Sequence, residues 1–142
     1  METAEQFRLQ TQANAAFEQS PKEFGCYDGV DCDSLIAVLT VVRSGDSLKA
    51  IRDIRKVVDI PLTRVKQALM DCSELHRVDL AECAGLTERH RAMVILERMK
   101  KAIAMNSGAA SINLSSPDGD FRRTDCSDSE LNYLRMKLIS WM

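Results

Sequence analysis

Three things are scarce in this 142-residue chain: aromatic rings, histidine and long apolar runs. Aromatic residues make up 5% of the sequence, so its core must be built from aliphatic side chains and its seven methionines. With only two histidines, the commonest acid–base group is nearly missing, and no Gly-rich phosphate loop, Ser-His-Asp set or spaced carboxylate pair replaces it. The residues therefore point away from an enzyme and imply no cofactor. The longest apolar run, "LIAVLTVV" over 35–42, is too short to span a bilayer. The opening "METAEQFRLQ" has neither the basic nor the apolar region of a secretory signal, so a cytoplasmic location is expected. Five cysteines, an odd number, then read as free thiols rather than a disulfide framework.

Apolar residues at 45% and charged residues at 28% are ordinary for one globular domain. The net charge of −2 is unevenly spread. Residues 1–47 hold 3 basic and 8 acidic groups, residues 48–101 hold 12 and 8, and residues 102–142 hold 4 and 5. A basic middle between acidic ends fits either a nucleic-acid face or an intramolecular charge match.

The patterning predicts an all-α fold of six or seven helices. Residues 3–19 read as a polar-sided helix, and "DSLIAVLTVVRS" (33–44) as a buried helix capped by Asp31 or Asp33, although its β-branched content would allow a strand. "GDSLKAIRDIRKVV" (45–58) places Leu48, Ile51, Ile54 and Val58 at helical spacing, and Asp59-Ile60-Pro61 ends that helix. Pro61 opens a second helix with Val65, Ala68, Leu69 and Cys72 on one face. A short helix is expected from about Asp79 to Gly85, then a long one over 88–105 capped by Thr87. Residues 1–106 would form the helical domain and 107–126 a polar linker, with "SDSE" (127–130) as the capping box of a C-terminal helix over 127–142. The apolar stripe of that last helix, ending at Trp141 and Met142, reads as docked core or as a partner surface.

The functional expectation rests on a helix-turn-helix near 48–72. Ile54, Val58, Ile60, Val65 and Leu69 face inward, which leaves Thr63, Arg64, Lys66 and Gln67 on the outer side of the second helix. Arg and Gln can read guanine and adenine edges bidentately, while Thr and Lys suit single acceptors or phosphates. Arg52, Arg55 and Lys56 are the expected phosphate contacts. The stretch resembles helix-turn-helix regulators. A second stretch, residues 80–96, begins like the same motif but has Arg91 where a packed apolar residue belongs.

Over a longer span the chain resembles the D subunit of the flagellar master-activator family (FlhD-like proteins). The resemblance is carried by "DSLIAVLTVVRSGD", by Pro61, Val65, Lys66 and Ala68, by "HRVD" (76–79), and by Leu86, Thr87 and Arg91. It implies a helical dimer that works with a partner subunit at promoters on duplex DNA, the partner making much of the DNA contact. The competing expectation is a protein-interaction adaptor or inhibitor without DNA affinity. A DNA binder gathers its cations on one face, whereas an adaptor shows an exposed apolar patch with a polar rim. Cys72 and His76, one helical turn apart, with Cys83 and His90 are the candidate zinc ligands, and Asp118 and Asp120 hint at a calcium loop.

Overall fold

The computed structural model describes residues 25–139, so the expected helix over 3–19, Trp141 and Met142 lie outside the described residues. The all-α expectation is overturned, because helices here pack on a four-stranded antiparallel sheet. Strand β1 is Ile36–Arg43, followed by helices α1 (Ser47–Val57) and α2 (Leu62–Asp71) and strand β2 (Glu74–Asp79). Helix α3 (Leu86–Met105), strands β3 (Ala109–Ser115) and β4 (Arg122–Arg123) and helix α4 (Asp128–Leu138) complete the order. The sheet runs β2-β1-β3-β4, with β1 in the middle.

The run expected as a buried helix is β1. Ala37, Leu39 and Val41 are buried, while Ile36, Val38 and Thr40 are only half-buried on the other face. That two-residue alternation is the strand period. Its continuous apolar character hid the alternation, because both faces of a central strand carry apolar residues. The expected cap, Asp31, instead precedes a short 3-10 turn, Cys32–Ser34. The stretch expected as a linker supplies β3, where Ala110, Ile112 and Leu114 alternate with Ser111, Asn113 and Ser115. The segment from Asp79 to Gly85 is the end of β2 followed by a 3-10 turn, Leu80–Glu82.

The buried strand face meets α2 and α3, and α1 lies against α3 and α2. One helix start follows the expected chemistry, the Ser127 hydroxyl accepting from the Glu130 N–H at 3.2 Å; at the start of α1 the cap is Asp46, which accepts from the Lys49 N–H at 3.3 Å. Thr87 is not the cap of α3. It is buried inside the first turn, and the Glu88 carboxylate accepts the Ala84 N–H instead. Helix α4 packs on α3 with Leu131, Leu134 and Leu138 buried, so the described part of its stripe is docked core.

A buried polar cluster fixes α4 to the rest. The Tyr27 hydroxyl donates to Glu130 at 2.7 Å, and Arg123 grips the same carboxylate at 2.6 and 3.2 Å. Burial would raise the Glu130 pKa, but the Arg123 and Tyr27 bonds and the Arg123 charge outweigh it and hold the group below its ordinary range. The Tyr27 ring also packs on Phe121 and Tyr133, with centroids 5.2 and 5.7 Å away.

Candidate functional site

Two loops interlock at the end of the sheet where β1 finishes and β3 begins. The Asp46 N–H donates to the Asn106 carbonyl at 2.7 Å, and Arg43 Nε donates to the Ser107 carbonyl at 3.2 Å. Gly45 has φ +60°, and a Cβ there would lie 2.3 Å from the backbone nitrogen of Gly108. Only glycine allows this approach. Asn106 sits beneath the junction, donating to Asp53 at 3.0 Å and to the Ala102 carbonyl at 2.7 Å.

This stitching gathers exposed apolar residues from three elements. Val42 at the end of β1 is 60% exposed, Leu48 in the first turn of α1 is 80% exposed, and Met105 at the end of α3 is 72% exposed. Cations rim them. Lys49 follows Leu48, and Arg52 lies one helical turn beyond it. Lys101 lies one turn before Met105, and Arg43 adjoins Val42. Among the described residues, none of Lys49, Arg52 or Lys101 is in an ion pair. The two carboxylates nearby are engaged internally, Asp46 as the α1 cap and Asp53 on Asn106.

All seven expected DNA contacts are exposed: Arg52, Arg55 and Lys56 on α1, and Thr63, Arg64, Lys66 and Gln67 on α2. The expected inward set is also largely found, with Ile54, Ile60, Val65 and Leu69 buried and Val58 half-buried. Two of the four expected base readers are engaged within the molecule. Arg64 Nε donates to the Leu75 carbonyl at 3.3 Å, and the Gln67 amide donates to Asp71. Arg52, Arg55, Lys56 and Lys66 have no ion-pair partner among the described residues.

Two inward expectations fail. Cys72 is exposed in the left-handed C-cap of α2, with φ 51°. Leu48 points outward, roughly 130° around α1 from the centre of the face set by Ala50, Ile51, Ile54 and Val57. The buried Ala50 sets this face, but alanine is a weak marker of a core face in a sequence. Arg91 is likewise exposed on α3 rather than packed.

The metal candidates do not converge. Cys72 is exposed, and His76 on β2 and Cys83 after the 3-10 turn are half-buried; among the described residues no group of three or more His, Cys, Asp or Glu could hold an ion. Asp118 closes a turn, accepting from the Ser116 hydroxyl and the Asp120 N–H. Among the described residues no helix is long and apolar enough to cross a membrane. No family model matches the chain, and no curated protein or solved structure matches it.

Proposed function

We propose that this chain is a non-enzymatic protein-interaction module whose docking surface is the interlocked loop end. The observation that carries this reading is the exposure of Val42, Leu48 and Met105 on one end, rimmed by Arg43, Lys49, Arg52 and Lys101. Exposed apolar groups of this size cost solvation free energy unless a partner covers them, and a polar rim is the usual surround of such a contact. The unpaired cations select a partner with acidic groups beside its apolar ones and speed their encounter. A reducing, cytoplasmic compartment accords with five free thiols.

A second reading keeps the exposed cations of α1 and α2 as a duplex-DNA surface, and the unpaired state of Arg52, Arg55, Lys56 and Lys66 favours it. Against it stand the internal bonds of Arg64 and Gln67. The experiment pairs a photo-crosslinking residue at position 48, in the native host, with a duplex-DNA titration at low and moderate salt. The interaction reading expects a discrete crosslinked protein that disappears when Lys49→Glu and Arg52→Glu are added, and little affinity for DNA. Salt-dependent duplex affinity weakened by Arg55→Ala, with no protein crosslink, overturns it in favour of DNA binding.

A further inference from the structure

We infer that one occupant of the apolar end is the opposite, acidic end of a second copy of this chain. The inference rests on reading the apolar end as a docking surface. The pairings Arg43 with Ala109 and Ile36 with Ser115 put the two ends at opposite limits of β1, about 25 Å apart. At the far end the loop before β1 meets the β3–β4 turn around a shallow depression. Val30, Pro117 and Phe121 supply its apolar lining, and Asp31, Asp118 and Asp120 its carboxylates. Asp28 and Glu82 are exposed on turns, and Glu88 in the first turn of α3, at or near the same end.

The two ends are complementary in both respects that matter. One presents exposed aliphatic side chains with Lys49, Arg52 and Lys101 close to them along the helices, and the other presents an apolar hollow lined by Asp31, Asp118 and Asp120, with Arg122 beside its turn. The β1 axis separates them, so no copy can satisfy both ends by folding back on itself. Docking between copies therefore joins unlike ends, either in an antiparallel pair that satisfies both contacts at once or in a head-to-tail row. Each contact is small, so association is weak, rises with protein concentration and falls with salt. Self-docking also covers the surface that receives any other partner, so it acts as a concentration-dependent brake on that partner.

Sedimentation velocity over a micromolar-to-millimolar range, at low and moderate salt, tests this. The wild type is expected to sediment faster as concentration rises at low salt and to revert to monomer at moderate salt. Arg52→Glu and Asp120→Ala alter exposed side chains that make no described side-chain bond, and each variant alone should stay monomeric with an unchanged melting curve. Their equimolar mixture retains one intact apolar end and one intact acidic end. It should form a two-chain species and nothing larger. A wild type that is monomeric throughout overturns self-docking and leaves the crosslink at position 48 to decide the wider reading. A mixture that remains monomeric while the wild type associates, or variants that still associate alone, overturns the pairing of unlike ends.

Discussion

Val65 and Leu48 are both aliphatic residues at helical spacing, and the structure gives them opposite roles. Val65 is wholly buried between α2 and the sheet, whereas Leu48 is 80% exposed. Val65→Asp should therefore cost about 4 kcal/mol or more, since it places a charge where no partner exists, while Leu48→Asp should stay within about 0.5 kcal/mol. Urea denaturation of the two variants checks the contrast. His76 offers a second test at this scale. Burial, then the nearby Arg64 charge, lower its pKa, and Glu74 opposes them. The unfolded chain thus takes up the proton first, near pH 6.5, so the contribution to stability is present above that value and is lost as pH falls toward the folded pKa. Glu97, which burial raises despite Arg135, acts in the opposite sense. The readout is therefore the difference between wild type and His76→Gln: the variant should have the shallower decline in urea midpoint between about pH 7 and pH 5.

Among the elements, α4 depends most on one polar cluster. Glu130→Ala removes the acceptor of the Tyr27 hydroxyl and the anchor of Arg123 together. Arg123 is partly exposed and can turn to water, but Tyr27 is fully buried, so the loss should be about 1–3 kcal/mol. Thermal unfolding measures it, and Tyr27→Phe should recover part of the difference in the double variant. The elements also separate what sequence patterning conveyed from what it did not. Helices α1 and α2 were readable because Pro61 and the spacing of Ile51, Ile54, Val65 and Leu69 all pointed to the same structure. Strand β3 was hidden because its alternation is built from Ala110, Ile112 and Leu114 among serines and Asn113, a composition typical of loops. Strand β1 was hidden by apolar residues on both faces. The exposed end is an assembly of residues 42, 48 and 105, joined only by the fold, so no local pattern announces it.

At the scale of the molecule, thiol reactivity should report the integrity of the whole core. Cys26 and Cys72 are exposed, Cys83 is half-buried, and Cys32 and Cys126 are buried. Burial pushes the Cys32 thiol up to about 11 and the Cys126 thiol up to about 12, so little thiolate exists at neutral pH. A thiol reagent should therefore label the exposed cysteines rapidly, and Cys32 and Cys126 only at the rate of unfolding. All five should react in denaturant without reductant. Equal native rates at all five would refute the described packing around Cys126.

The sheet order has a consequence for the chain as it is made. Arg43 pairs with Ala109 and Ile36 with Ser115, so β1 leaves the ribosome long before its main partner does. At about 5–20 residues per second, one edge of an apolar strand stays unpaired for several seconds after α1, α2 and β2 have emerged. A nascent chain arrested near residue 106 would present that edge as a template for a neighbouring nascent chain. A polysome translating this message should thus depend on chaperones up to, and not beyond, the emergence of β3.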